Sequence, residues 1–326
     1  MLIRDIQTFL QPRLQQVEAI IRRSLESDVP LLDATNQRLR EHPGKMMRPQ
    51  LALLMAGAIG VTAPDTYRYA AAVELLHNAT LLHDDVVDGA TVRRGLPTVA
   101  SLLGGGPAVL VGDFWLVKCI QQVLAAEDFS LRVLHLFSDT LGALTEGELL
   151  QMQKASSGDT SEEDYLRIIH GKTASLFALA TRTAAISVHA SPEMEEAAAE
   201  FGHELGIAFQ IKDDIFDYQD PSEALGKPVG IDLKEQKITQ PLLCALEKAP
   251  APEAAHIRSL VTSASEKPGN VAVIQSFVKA YDGVAAAVAK LEEHLQQAIG
   301  SLEAFPASEE KTCLESLARY VANREA

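Results

Sequence analysis

Apolar residues recur at three- and four-residue spacing over nearly the whole chain, and that periodicity leaves little room for anything but helices. It runs through residues near 2–27, 47–60, 64–89, 107–126, 128–155, 161–189, 192–219, 234–248, 271–299 and 305–324. Ala, Leu, Glu and Gln, all good helix formers, dominate these stretches. No alternating β-branched run is bounded by turn signals. Breaks fall at His42-Pro43-Gly44, Gly104-Gly105-Gly106-Pro107, Ser191-Pro192, Asp220-Pro221 and Lys267-Pro268-Gly269. Ser191-Pro192-Glu193 reads as an N-cap with Pro at the first helical position. None of these breaks is a linker that would divide domains. The expectation is an all-α fold, one domain over 1–326, a helical bundle with two acidic helices facing each other across a central cavity.

The acidic helices are marked by two copies of one motif. Asp84-Asp85-Val86-Val87-Asp88 and Asp213-Asp214-Ile215-Phe216-Asp217 share the form D-D-x-x-D. On a helix, residues i and i+4 share a face, so Asp84 pairs with Asp88 and Asp213 with Asp217. Like charges stacked beside apolar runs such as Ala79-Thr80-Leu81-Leu82 repel and resist burial. A solvated acidic stripe is the bland alternative, but the apolar surroundings favour carboxylates held by cations. All-oxygen ligands suit Mg²⁺, which keeps waters and shares its coordination with substrate phosphates. The candidate metal ligands are Asp84, Asp85, Asp88, Asp213, Asp214 and Asp217.

Composition narrows the partners. The chain has 326 residues, 47% of them hydrophobic, and a net charge of −15, which argues against nucleic acid. Cys119, Cys244 and Cys313 are scattered without metal or disulfide spacing, as fits a reducing cytoplasm. Arg4 and Asp5 interrupt the N-terminal apolar stretch, which makes a poor signal peptide. No run of about 18 apolar residues stands out as a membrane span.

An anionic substrate would need local positive charge, and it is there. Lys45 and Arg48 stand three apart at a helix start, where free N–H groups also favour an anion. Arg93-Arg94-Gly95 closely follows the first acidic motif, Lys172-Thr173 lies on a helical pattern, and Lys227 and Lys237 follow the second motif. Each alone is weak. Together with two acidic helices they suggest two diphosphates held side by side, with Arg forking onto phosphate and Lys acting as a point charge. His77, taken alone, reads as a satisfied core histidine, and Gln210 could likewise be only a core polar residue; both lie on the N-terminal side of an acidic motif, within reach of a bound diphosphate.

These stretches resemble the trans-isoprenyl diphosphate synthases, the polyprenyl synthetase family. The matching residues are Gly44-Lys45-x-x-Arg48-Pro49, His77, Leu81-Leu82-His83 with the first motif, Arg93-Arg94-Gly95, Gly112-Asp113, Gly171-Lys172-Thr173, Phe209-Gln210 with the second motif, Gly226-Lys227-Pro228 and Lys237-x-Thr239-x-Pro241, in family order. The resemblance implies an isoprenoid-synthase fold and a Mg²⁺-dependent prenyltransferase that condenses isopentenyl diphosphate onto an allylic diphosphate of the farnesyl or geranyl type. It implies metal at Asp84 and Asp88 and at Asp213 with Asp217. It assigns Arg93, Lys172, Thr173, Gln210 and Lys227 to the allylic diphosphate, and Lys45, Arg48, His77 and Arg94 to isopentenyl diphosphate, with Lys237 completing the set. Asp84, Asp88, Arg93, Lys172 and Asp213 are the catalytic candidates. Two departures stand out: Pro43-Gly44-Lys45-Met46 replaces the family's Gly-Gly-Lys-Arg, and Glu235-Gln236-Lys237 replaces Glu-Gly-Lys. A homodimer is implied too, and so apolar a product suits delivery at a membrane surface.

Product length follows from the residues behind the first motif. Ala79 and Thr80, about one 5.4 Å turn before Asp84, are small, with Leu76, Val73 and Ala72 further down. In the family bulky aromatics there stop elongation early, so the resemblance implies a long all-trans product of about eight isoprene units (about C40), with burial growing as each unit is added. Quinone side chains are the expected use, and the helix carrying Phe114 and Trp115 is a candidate floor. Rival readings are a shorter-chain (farnesyl or geranylgeranyl) synthase, a class I terpene cyclase, a non-catalytic partner subunit, and a di-iron bundle using Glu74-x-x-His77, Glu200-x-x-His203 and Glu253-x-x-His256.

Overall fold

The computed structural model describes residues 3–41, 44–93, 95–128, 130–218 and 230–324. The fold is all-α, as expected. Its helices are α1 (Ile3–Ser24), α2 (Pro30–Glu41), α3 (Met47–Ile59), α4 (Pro64–Val87), α5 (Val99–Leu103), α6 (Gly105–Leu124), α7 (Ser130–Ser157), α8 (Glu162–Ile169), α9 (Ser175–Ser187), α10 (Pro192–Phe216), α11 (Ile231–Lys234), α12 (Gln240–Lys248), α13 (Ala251–Val261), α14 (Gly269–Ala280), α15 (Gly283–Ser301) and α16 (Glu309–Asn323). A π-turn, His170–Ala174, joins α8 to α9. One small antiparallel hairpin, β1 (Val92–Arg93) with β2 (Leu96–Pro97), pairs Val92 with Pro97 and Arg93 with Leu96.

Contacts gather the chain into two compact units, each assembled from separated stretches. The first is Met1–Ser138, Leu179–Ala199 and Ala304–Leu314; the second is Asp139–Ala178, Glu200–Glu303 and Glu315–Ala326. In the first, α4 packs against α1, α3, α5 and α6. Residues Tyr69 to Leu76 of α4 are buried without a gap. A helix apolar on all sides needs neighbours on all sides. Close approach of α6 depends on glycine: a Cβ on Gly112 would collide with the His83 ring, and one on Gly105 would press on Val86. In the second unit, α12 packs on α14 and α15, α13 on α14, and α8 on the π-turn and α12.

Several elements differ from the periodicity. α2 was not expected: Leu31, Leu32 and Leu39 are spread thinly among polar residues, so its stripe is weak. α13 is rich in Ala, which carries little periodic contrast. The expected helix over 271–299 divides at Asp282, whose left-handed φ of 49° caps α15. α6 begins at Gly105, inside the expected break and two residues before the expected start near 107, because Pro107 is compatible with a first turn. Thus extended, α6 is long and apolar enough to cross a bilayer by length and composition alone, where none was expected.

Candidate functional site

Both acidic motifs end long helices. α4 finishes at Val87 with Asp88 as its C-cap, and α10 finishes at Phe216, one residue before Asp217. Carboxylates there add to the negative end of the helix dipole, so each site is strongly electronegative and draws cations.

In the first unit the three aspartates differ. Asp84 is half-buried and Asp88 exposed, whereas Asp85 is buried. Asp85 Oδ1 accepts a 2.6 Å hydrogen bond from Arg93 Nε. The hairpin makes this possible: Arg93 ends β1, and Gly95 turns the chain at φ 79°. Thr98 secures the hairpin base, its hydroxyl donating to Ala90 O at 2.7 Å and its amide to Thr91 O at 3.1 Å. Arg94 lies outside the described residues.

Asp85 and Arg93 share a cavity of about 360 Å³ with Gly44, Met46, Glu74, Asn78, Leu81 and Trp115. Gly44 and Met46 flank Lys45, which is exposed. Arg48 sits in the first turn of α3, as expected. The N-cap, Met46, gives no side-chain hydrogen bond and holds a left-handed φ of 50°, so the α3 N-terminal amides are not capped by that side chain. Arg22, Arg38 and Arg40 also line the cavity, three cations that the sequence did not single out.

The residues expected to control product length divide. The backbone of Leu76 meets Cys119 of α6, and His83 and Val86 lie against Gly112 and Gly105. Ala79 belongs to this same three- and four-residue stripe, which faces α6. Thr80 is half-buried and its hydroxyl donates to His77 O at 2.8 Å. Trp115 of α6 is held by Asn36, its indole N–H donating to Oδ1 at 2.9 Å.

In the second unit a continuous chain of hydrogen bonds meets the motif. Thr173 donates to Gln210 Oε1 at 2.8 Å, Gln210 Nε2 donates to Asp214 Oδ1 at 2.9 Å, and Tyr165 OH donates to Asp214 Oδ2 at 2.6 Å. The π-turn sets Lys172 and Thr173 at the start of this chain. It crosses α7 so closely that a Cβ on Gly171 would strike Ala143 O. Lys172 Nζ therefore reaches Glu148 at 2.8 Å and Gln151 at 3.0 Å on α7. Asp217, half-buried, accepts from the amides of Ile231 (2.8 Å) and Asp232 (3.1 Å). Lys237 pairs with Glu235 at 2.6 Å. Lys227 lies outside the described residues.

Electrostatics here run against ionisation. Burial, then the nearby Asp232 carboxylate, pushes Asp214 up to about 8, despite hydrogen bonds from Tyr165 and Gln210 that favour its anion. Burial, then Asp217, pushes Asp232 up to about 6. Asp217 is raised as well, mainly by burial. A cavity of about 100 Å³ beside them is lined by Asp214, Asp232, Lys154, Lys172, Lys237 and Thr239. In the second unit the residues that sequence reasoning missed are Glu148, Gln151, Tyr165, Asp232 and Arg324. All but Arg324 lie within about thirty positions of a noted motif; none carries a local pattern of its own.

The donor set fits a hard divalent cation. Every expected ligand is a carboxylate oxygen, and cationic side chains already rest on Asp85 and on Asp213, where Arg324 Nη2 donates at 2.6 Å. Among the described residues no three His, Cys, Asp or Glu side chains close on a point by themselves. Three residues of the di-iron alternative make other contacts: His203 bonds Glu204 at 2.9 Å, Glu74 accepts from Asn78 at 3.2 Å, and Glu253 accepts from Tyr281 OH at 2.6 Å.

The polyprenyl synthetase family model matches residues 29–278. The chain is 37% identical over 324 residues to the octaprenyl diphosphate synthase of Haemophilus influenzae, covering 99% of this chain and 98% of that protein. It superposes on a decaprenyl diphosphate synthase from Rhodobacter capsulatus with a TM-score of 0.92 at 33% identity, covering 99% of both chains. It also superposes on a polyprenyl synthase from Caulobacter crescentus complexed with calcium and isoprenyl diphosphate. There the TM-score is 0.89 at 31% identity, over 98% of this chain and 97% of that one.

Proposed function

The chain belongs to the polyprenyl synthetase family, and from that premise we propose that it extends an allylic diphosphate with isopentenyl diphosphate by successive 1′-4 condensations. It is a prenyltransferase of the long-chain all-trans kind. The product reading is about eight isoprene units, each adding apolar surface to be buried, for quinone side chains. One observation carries the proposal. Each acidic motif is wired to the groups assigned to the allylic diphosphate: Asp85 to Arg93, and Asp214 to Gln210 and through it Thr173.

The chemistry follows from charge and placement. Arg93, Lys172, Thr173, Gln210 and Lys227 bind the allylic diphosphate and stabilise the negative charge that grows on it as the carbon–oxygen bond breaks. Lys45, Arg48, His77 and Arg94 hold isopentenyl diphosphate with its double bond oriented for attack on the allylic cation. Excluding water protects that cation. A proton lost to the released diphosphate completes the step. Mg²⁺, held by Asp84 and Asp88 and by Asp213 and Asp217, supplies Lewis-acid stabilisation of the leaving group when bound.

The remaining readings belong to the same proposal. One domain over 1–326 is supported by likeness covering 99% of the chain. A homodimer is supported by α6, which exposes Leu110, Val117 and Leu124 along one side. A cytoplasmic location is supported by three free buried cysteines, Cys119, Cys244 and Cys313, and so apolar a product suits delivery at a membrane surface. Ala79, Thr80 and Leu76 set product length, with Ala79 acting where α4 meets α6. The test is mass analysis of products from farnesyl and isopentenyl diphosphates. A long-chain series is expected, with Ala79→Phe stopping at about three or four units as its ring blocks the growing apolar chain. An unextended or cyclised primer would overturn the synthase reading; an unchanged length in Ala79→Phe would remove Ala79 from the length control.

A further inference from the structure

Arg324, just beyond the end of α16, reaches the second acidic motif from a part of the chain in which the sequence shows no family signature. Its Nη2 donates to Asp213 Oδ1 at 2.6 Å and to the carbonyl oxygen of Phe209 at 2.9 Å. Its guanidinium lies over the Phe209 ring, 3.9 Å from the centroid, and 5.2 Å from that of Phe216. The Arg324 side chain is 10% exposed, against 42% for Asp213. A buried arginine is thus fixed on a carboxylate that faces solvent.

The seat is not a comfortable one. Among the described residues Arg324 Nε is buried without a hydrogen-bond partner, which leaves part of its desolvation cost uncompensated. Lys212 crowds the same place, its ammonium 5.1 Å from the Phe216 centroid. A divalent ion arriving at Asp213 would therefore meet two positive charges already in place, and like charges at this range repel.

From this geometry we infer that Arg324 is an exchangeable counter-cation: it holds the Asp213 carboxylate in place until the divalent cation arrives, and that cation displaces it. Metal occupancy of the second motif is thereby coupled to release of the chain end around Arg324. Arg324 is a positioning residue, since it acts through Asp213. The inference rests on the proposed metal role of Asp213.

The test uses Mn²⁺ alone, titrated into the full chain and followed by the electron paramagnetic resonance of the free ion. Wild type, Arg324→Gln, Arg324→Lys and Asp213→Asn are compared, with circular dichroism melts to establish that each folds. Removing a competing, partly exposed ion pair should tighten Mn²⁺ binding about three- to tenfold in Arg324→Gln, with Arg324→Lys in between. Hydrogen exchange over residues 315–324 should accelerate on adding Mn²⁺ to wild type, and should be fast with or without Mn²⁺ in Arg324→Gln. Equal or weaker Mn²⁺ binding in Arg324→Gln, or exchange in wild type indifferent to Mn²⁺, would overturn the exchange. If Asp213→Asn binds as much Mn²⁺ as wild type, the metal assignment of the second motif fails as well. Loss of Mn²⁺ in Asp213→Asn, with no gain in Arg324→Gln, sinks the counter-cation alone.

Discussion

The two D-D-x-x-D motifs end helices in the same way but are neutralised differently. In the first, a cation sits on the middle acid: Arg93 on buried Asp85. In the second, the middle acid, Asp214, is equally buried but meets only the neutral donors Tyr165 and Gln210, with Asp232 close by. The resident cation has moved to the first position, Arg324 on Asp213. One five-residue pattern therefore yields a motif whose buried carboxylate is paired with a cation and another whose buried carboxylate is pushed towards its neutral form. The more exposed carboxylates are Asp84 and Asp88 in the first motif and Asp213 in the second.

The largest test of the comparison concerns what the motifs share. On the proposed function, Asp84→Ala and Asp213→Ala should each cut kcat by about a thousandfold or more at saturating Mg²⁺, because each removes a carboxylate proposed to hold the cation that stabilises negative charge on the leaving diphosphate. Far-UV circular dichroism should be unchanged. The fourth residue downstream then separates the motifs. Asp88→Ala leaves an exposed position and should keep wild-type stability, whereas Asp217→Ala strips the acceptor from the Ile231 and Asp232 amides. It should lower stability by about 1–2 kcal/mol as well as activity. Equal melting temperatures for the two variants would show that the Asp217 contacts hold nothing together.

The next effect lies in the cations. Arg93→Ala should raise KM for the allylic substrate about ten- to a hundredfold, the cost of one charge-assisted contact. It also leaves the buried Asp85 carboxylate without its guanidinium. Arg93→Ala/Asp85→Asn should recover stability but not KM. Arg48→Ala should raise KM selectively for isopentenyl diphosphate by a similar factor. If Arg48→Ala affects both substrates equally, the division of the basic residues between the two diphosphates is wrong.

Acid chemistry separates the motifs further. Because Asp214 and Asp232 hold protons more tightly in the folded chain than in the unfolded one, their contribution to stability is full below the ordinary carboxylate pKa of 3.8. It is lost as pH rises towards about 6 for Asp232 and about 8 for Asp214. Metal-free protein in chelator should therefore lose a few degrees of melting temperature between pH 5 and pH 8.5. Asp214→Asn keeps the shape without the charge and should flatten that slope. An unchanged slope would mean that Asp214 is charged in the folded protein throughout.

The part of this site that the sequence shows is the part with a short period. Helical spacing places each motif on one face of a helix, and Gly171-Lys172-Thr173 and Gln210 are local strings. The partners that set the electrostatics are not local. Arg93 reaches Asp85 only because a hairpin with two-residue strands folds back, too short for any alternation to register. Tyr165 lies 49 positions from Asp214, and Arg324 lies 111 from Asp213. Such pairs are fixed by packing, which composition and periodicity do not encode. Glycines gave the nearest hint: Gly147 and Gly171 mark the crossing that carries Glu148 and Gln151 to Lys172.

The smallest effect arises where the chain departs from the family pattern, once in each unit. Met46 stands next to Lys45, and Gln236 next to Lys237; both hold left-handed backbone, φ 50° and 61°. A side chain other than Gly costs about 1–2 kcal/mol in that region, and glycine gives back about 0.5–1 kcal/mol through its freer unfolded chain. Met46 makes no capping hydrogen bond, so Met46→Gly should stabilise by about 0.5 kcal/mol, less whatever cavity contact is lost. Gln236 differs, because its Nε2 donates to Thr262 O at 2.6 Å and to Ser265 Oγ at 3.1 Å. Each bond is worth about 0.5–1.5 kcal/mol, which exceeds the relief of strain. Gln236→Gly should therefore destabilise by about 1 kcal/mol and loosen the turn in which the Lys237 amide donates to Asp232 O at 2.8 Å. Urea melts of the two variants give the sign directly. If Gln236→Gly proves the more stable, the anchor to Thr262 and Ser265 holds nothing, and the departures at Met46 and Gln236 are equivalent.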